Sequence, residues 1–264
     1  SFHGRTLATM SASGKAGWDT IFAPQVDGFP KAPPNDLDAV AALIDDQTVA
    51  IMLEPVQGEA GVIPASTEFM QGLRELADKH GLLLIVDEVQ TGMGRTGTLF
   101  GYQHSGITPD IMTLGKGIGG GVPLAALCAR EEVSCFAHGD QGGTYNGNPV
   151  ISAVGVAVFD ALTAPGFLDA VNRRGRQLAD GLNRLSEKWG MNGERGVGLL
   201  RALKLDQTDG AAIVQAAMAL QPEGLLLNSP RPDLLRFMPA LNVTAAEVDH
   251  MLLLLDTAIQ TVRS

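Results

Sequence analysis

Leu82-Leu83-Leu84-Ile85-Val86-Asp87-Glu88 points to the class of fold. Five apolar residues in a row show no polar alternation, so the run reads as a strand buried on both faces, as in a parallel sheet. It ends abruptly in two carboxylates. Upstream, Ser66 can cap a helix through Phe69, Leu73, Leu76 and Ala77, and Gly81 can stop it. Before that helix lies Val49 to Leu53, a short apolar run closed by Glu54-Pro55. Downstream, Pro109-Asp110 leads into Ile111 to Leu114, then a glycine cluster, then Leu124 to Ala129. Strand, helix, strand, loop, strand is the α/β order of a sheet with helical crossovers.

The second half changes character. Pro149 to Leu162 reads as a helix of small apolar residues, and Pro165 to Lys188 as an Arg-rich amphipathic helix. Leu199 to Leu205, Gly224 to Leu227 and Leu234 to Phe237 are short strand candidates between helices. Thr244-Ala245-Ala246-Glu247 is a capping box that opens the last helix. The expected division is a large α/β domain over 1–163 and a smaller α+β domain over 164–264.

Composition limits the chemistry. The 264 residues carry a net charge of −10, with 45 % hydrophobic and 18 % charged residues. That balance excludes a disordered chain. It also argues against a nucleic-acid partner, which would need a basic face. No apolar run approaches the roughly 20 residues of a membrane helix, so no membrane partner is expected. The start has no signal-peptide pattern. Two cysteines, Cys128 and Cys135, form no CxxC pair and no metal-ligand spacing, so no metal is expected. They read as small buried apolar residues in a reducing, cytoplasmic compartment.

Ligands of an open α/β sheet bind beyond the carboxyl ends of its strands. Glu54, Asp87, Glu88 and Lys116 fall there. Lys116 is bracketed by Gly115, Gly117, Gly119, Gly120 and Gly121. Glycines at those positions permit close backbone approach and unusual dihedrals. Two other motifs overlap the same residues. Gly115 to Gly120 fits GxGxxG, but Pro123 follows where the dinucleotide fingerprint needs a helix. The run into Asp87 resembles a Walker B strand, but GxxxxGK[ST] is absent, so a P-loop ATPase stays as an alternative of another class. An Asp at one strand end, a Lys at the next and several glycines suit pyridoxal phosphate (PLP). A Lys can bind its aldehyde carbon, and a carboxylate keeps its ring nitrogen protonated.

The combination resembles a known family. Ser1-Phe2-His3-Gly4-Arg5-Thr6, Glu54-Pro55-Val56-Gln57-Gly58-Glu59, Val86 to Gly92, Gly94-Arg95-Thr96-Gly97, Pro109 to Gly117, Gly143 to Pro149 and Leu235-Arg236-Phe237-x-Pro239 are similar to the class III aminotransferases, nearest in pattern to the acetylornithine aminotransferases. The motifs run in family order along the whole chain. The resemblance implies an aspartate-aminotransferase-like type I fold, with a mostly parallel large domain and an α+β small domain, and a homodimer. It implies transfer of the distal amino group of N-acetylornithine to 2-oxoglutarate, in arginine biosynthesis. Ornithine, succinyl-diaminopimelate and 4-aminobutyrate are alternative donors, and a PLP-fold protein without activity is a further alternative.

Carried over residue by residue, Lys116 would hold the cofactor covalently and then move a proton. Asp87 would pair with the pyridinium nitrogen, Gln90 would meet the ring hydroxyl and Phe2 would stack on the ring. Thr144 would reach the cofactor phosphate of a neighbouring subunit. Arg5 would bind a substrate carboxylate. Arg236 would bind the α-carboxylate of glutamate or 2-oxoglutarate, with Glu59 as its competing partner. Each also has a plainer role: Phe2 as core, Gln90 as a strand-end cap, Thr144 as a turn residue, Arg236 in an ordinary ion pair. His3 reads as structural. The opening at Ser1, without Met or lead-in, reads as a cut inside a structured region. The family's phosphate loop would precede it. Tyr145-Asn146-Gly147-Asn148 and Phe237-Met238-Pro239-Ala240-Leu241 depart from the usual family wording and are expected to tune packing.

Overall fold

The computed structural model describes residues 1–264, the side chain of Asp19 excepted. The chain forms two compact units. The first comprises Ser1–Val56, Ala65–Met93 and Thr98–Ala164; the second comprises Gln57–Pro64, Gly94–Gly97 and Pro165–Ser264. The division therefore differs from a single cut near Thr163, because two short loops of the first half join the second unit.

In the first unit, β1 (Ala50–Leu53), β2 (Leu83–Asp87), β3 (Ile111–Leu114) and β4 (Ala126–Ala129) form one sheet in the order β1-β2-β3-β4. The first three strands are parallel, and β4 runs antiparallel on the edge. A short helix, α1 (Leu7–Ser13), precedes them, and α2 (Thr67–His80) crosses from β1 to β2. The signals read for α2 are those that operate. Ser66 Oγ accepts from the Phe69 N–H at 3.1 Å, and Gly81 closes the helix at φ 67°. Phe69, Met70, Leu73 and Ala77 of α2 bury against Leu84 and Val86 of β2. Each fully buried aliphatic side chain contributes about 1.5–3 kcal/mol. Leu83 and Ile85, on the other face of the strand, are only half-buried. Burial of β2 is thus stronger on one face than its unbroken apolar run suggests. A helix of small residues, α3 (Pro149–Thr163), closes the unit, with Asn148 capping its first turn.

The second unit stacks α4 (Phe167–Trp189), α5 (Gly210–Ala219) and α6 (Ala245–Arg263) on an antiparallel sheet. Its strands are β5 (Glu194–Val197), β6 (Leu200–Lys204), β7 (Asn228–Arg231) and β8 (Leu234–Phe237), in the order β5-β6-β8-β7. Leu178, Leu182 and Leu185 of α4 meet Leu252, Leu255 and Ile259 of α6 over Leu203 and Leu235. Thr244 and Glu247 form the capping box read from the sequence. The strand expected over Gly224–Leu227 lies instead at Asn228–Arg231. Leu225 and Leu227 pack against the core, and the Leu225 N–H bonds the Ala217 carbonyl at the end of α5. Two of the three leucines serve packing while Leu226 is exposed, and a proline-containing edge takes the ladder.

Both cysteines are exposed, against the reading of them as buried. Cys128 lies on the edge strand β4, whose residues are exposed on both faces after Ala126, and Cys135 lies in an exposed loop. Among the described residues, no single helix is long and apolar enough to cross a membrane.

Candidate functional site

Three parallel strands of the first unit end side by side, and each end carries a polar residue. Glu54 follows β1, Asp87 closes β2 and Lys116 lies just beyond β3. Register places Asp87 directly opposite Thr113. The loops after β2 and β3 touch: a Cβ at Gly117 would lie 3.2 Å from the Met93 Cβ, and one at Gly115 would lie 3.2 Å from Val89. Glycine at these two positions is what lets the lysine-bearing loop lie on the loop that carries Gln90.

Asp87 is buried and fully engaged. Its Oδ2 meets His3 Nδ1 at 2.8 Å, and its Oδ1 accepts from the Val89 N–H and from Thr113 Oγ1, both at 3.0 Å. Burial pushes this carboxyl up, but the His3 contact, the Val89 N–H and the Thr113 hydroxyl outweigh it. The net effect holds Asp87 below the usual carboxylate range. The site thus contains a desolvated carboxylate whose charged form is favoured. Its neighbours behave oppositely. Burial raises Glu54 and Glu88. Glu54 Oε1 accepts the Phe2 N–H at 2.8 Å; Glu88 accepts from Thr91 Oγ1 and from the N–H groups of Gly101 and Tyr102.

Lys116 is exposed, and its backbone sits at φ 44°. A non-glycine residue there is uncommon and costs energy, and such residues gather at functional sites. The buried Gln90 Oε1 has no hydrogen-bond partner among the described residues. An unspent buried acceptor is a place a ligand can satisfy.

The Ser1–Arg5 segment lies over the strand ends. Its Phe2 N–H bonds Glu54, and its His3 ring, almost fully buried, bonds Asp87. His3 therefore belongs to the site, against its reading as a structural histidine. Phe2 packs edge-on against Trp18 with ring centroids 5.7 Å apart. The Arg5 guanidinium lies 5.7 Å from the Phe2 ring and 5.8 Å from Trp18, and makes no ion pair among the described residues. Thr144 lies in an exposed turn.

Glu59 and Arg236 belong to the second unit, where they meet. Arg236 Nη1 donates to Glu59 Oε1 at 2.8 Å and to the Gly58 carbonyl at 2.9 Å, and Nε donates to Asn228 Oδ1 at 3.0 Å. Arg95, whose desolvation lowers it to about 10, donates to the Leu199 and Pro239 carbonyls.

The class-III aminotransferase family profile matches residues 1–259. The chain belongs to this family. Class-III membership replaces the ATPase reading of the β2 strand. Among its relatives is acetylornithine aminotransferase 2 of Bordetella pertussis, 73 % identical over 262 residues, which cover 99 % of this chain and 66 % of that protein. This chain thus spans just under two thirds of that relative. The fold is shared with the ornithine aminotransferase of Toxoplasma gondii, whose structure carries PLP at its active site in partial occupancy. There the TM-score is 0.91 at 32 % identity, covering 98 % of this chain and 62 % of that one. It is also shared with the N-acetylornithine aminotransferase of Stenotrophomonas maltophilia. That TM-score is 0.79 at 37 % identity, covering 88 % of this chain and 62 % of that one. These likenesses give the chain the type I fold of the PLP-dependent enzymes.

Sequence reasoning missed two residues of the site, His3 and Thr113. Thr113 was within reach, because aligning the ends of β2 and β3 puts it opposite Asp87. His3 lies 84 residues from its partner, and no local pattern signals that pairing.

Proposed function

We propose that this chain forms the catalytic lysine site and the carboxylate-recognition site of a PLP-dependent aminotransferase that moves the distal amino group of N-acetylornithine to 2-oxoglutarate. The observation that carries the proposal is the pairing of a buried, low-pKa anion, Asp87, with a lysine on a strained turn at the end of the neighbouring strand. The relative named acetylornithine aminotransferase 2 supports the choice of donor.

The side chains fit the cofactor. Asp87 supplies the anion a protonated ring nitrogen needs, and Gln90 offers an unspent buried amide oxygen. PLP, when bound, supplies an electron sink for the substrate carbon. Lys116 Nζ would hold the cofactor, and would then carry the proton at the substrate carbon. Asp87 would keep the ring nitrogen protonated through opposite-charge attraction, and His3 and Thr113 keep Asp87 in place. Phe2 would cover the ring, and Thr144 would serve the phosphate in a partner subunit of a homodimer. Arg5 takes the carboxylate of the acetylated donor.

Glu59 and Arg236 handle the change of substrate. N-acetylornithine has no carboxylate beside its reacting amine; glutamate and 2-oxoglutarate do. With the donor bound, Glu59 neutralises Arg236. With 2-oxoglutarate bound, Glu59 releases Arg236 to the α-carboxylate. We place this activity in the cytoplasm, as a step of arginine biosynthesis.

The test is a donor panel on the PLP-loaded protein: N-acetylornithine, ornithine, succinyl-diaminopimelate and 4-aminobutyrate, each with 2-oxoglutarate. N-acetylornithine should give the highest kcat/KM. Transfer from none of the four would overturn the reading.

A further inference from the structure

Arg236 has three acceptors, and only one of them is charged. Gly58 offers a backbone carbonyl to Nη1 and Asn228 offers an amide oxygen to Nε, beside the carboxylate of Glu59 on Nη1. Neither neutral acceptor is an atom of the Glu59 side chain. The loop that bears Gly58 and Glu59 is itself pinned, because Arg195 donates to the Gly61 carbonyl from Nε at 3.0 Å and from Nη2 at 2.6 Å. Asn228 stands opposite Arg236 in the antiparallel register of β7 and β8, so both side chains share one face of the sheet.

We propose that Asn228 is a positioning residue that fixes the carboxylate-binding edge of Arg236 when Glu59 withdraws, and so sets the affinity for α-carboxylate amino acceptors. This rests on the functional reading above. A guanidinium is a planar fork, and bidentate recognition of a carboxylate needs that plane held. Glu59 cannot both hold it and leave. An amide oxygen on Nε can hold it throughout, and it orients the group without neutralising its charge. The Nη2 group, which has no hydrogen-bond partner among the described residues, is then presented with Nη1 to the incoming carboxylate. The residue type matters. An aspartate at 228 would keep the acceptor but would pair permanently with Arg236.

The two half-reactions of the PLP-loaded protein separate this role from a purely structural one. Single-turnover absorbance gives a half-saturation for N-acetylornithine in the first half and for 2-oxoglutarate in the second. Asn228→Ala should raise the 2-oxoglutarate value about tenfold, as expected for loss of a hydrogen bond to a charged group, and leave the donor value within about twofold. Asn228→Asp should weaken 2-oxoglutarate binding further, at an unchanged melting temperature. An Asn228→Ala protein with wild-type affinity for 2-oxoglutarate, or with both half-reactions shifted equally, would overturn the proposal. Should Asn228→Ala fail to fold, Asn228→Asp decides: unaltered 2-oxoglutarate affinity in that variant overturns it too. A wild-type protein that transfers no amino group would instead strike the functional reading.

Discussion

Replacing Asp87 by Asn removes a charge and keeps a shape. The carboxylate has three partners: His3 Nδ1 at 2.8 Å on Oδ2, and the Val89 N–H and Thr113 Oγ1 at 3.0 Å on Oδ1. An amide oxygen can keep both bonds on the Oδ1 side. The amide nitrogen can face His3 if the imidazole accepts at Nδ1, which the other tautomer allows. What is lost is the charged character of these bonds, a difference of about 1–2 kcal/mol between charge-assisted and neutral hydrogen bonds. The catalytic loss should be larger. Asp87 is only 4 % exposed, so water cannot replace its charge toward a ring nitrogen bound there. Removing one preorganised electrostatic group from such a site costs about 2.7–4 kcal/mol, or about 10²–10³ in rate. Single-turnover absorbance with N-acetylornithine measures the rate, and thermal melting of the same protein measures the fold. A rate within tenfold of wild type would show that Asp87 is scaffold only. The cofactor-free protein adds a pH arm. Asp87 in the fold lies below its ordinary value of about 3.9, so its stabilisation is complete above that value and is lost as pH falls through the lower folded one. The gap in melting temperature between wild type and Asp87→Asn should stay level at neutral pH and close below about pH 4. A gap that widens on acidification would contradict the assignment of the anion.

Glu59→Ala should unbalance the two half-reactions, since Arg236 is then free to attract α-carboxylates throughout. Transfer of the α-amino group of glutamate should gain on distal-amine transfer, and equal effects on both halves would count against the switch. Gly175→Ala should destabilise the second unit, because its Cβ would lie 2.6 Å from the Gly198 carbonyl oxygen and 2.8 Å from its carbon. Overpacking against backbone costs about 1–3 kcal/mol, more than the gain in helix propensity of at most about 1 kcal/mol. Urea unfolding reads the balance, and a stabilised variant would show that α4 shifts freely.

Local chemistry made much of this legible. Ser66 and Gly81 bound α2, and Thr244 with Glu247 opens α6, because caps act within one helical turn. The ends of β1, β2 and β3 were readable because an apolar run that stops at a carboxylate or a glycine marks a strand leaving the core. What depended on distant partners was not readable. The β5 strand has the sequence Glu194-Arg195-Gly196-Val197, with no apolar pattern, and exists because β6 pairs with it. The strand at Asn228–Arg231 exists because β8 offers it an edge, while Leu225 and Leu227 before it pack against the core. Cys128 looked like a core residue by composition, yet an edge strand left it exposed. The placement of Asp87 and Lys116 at the ends of neighbouring strands was legible. The His3 contact that holds Asp87 closes a separation of 84 residues, and tertiary folding alone makes it.

The proposed function stands or falls with Lys116 as the residue that holds the cofactor. Borohydride reduction of the PLP-loaded protein, followed by peptide mapping, decides it. One modified peptide is expected, carrying the pyridoxyl group on Lys116 and absent from Lys116→Ala. A pyridoxyl group on Lys15, Lys31 or Lys79 instead would contradict it.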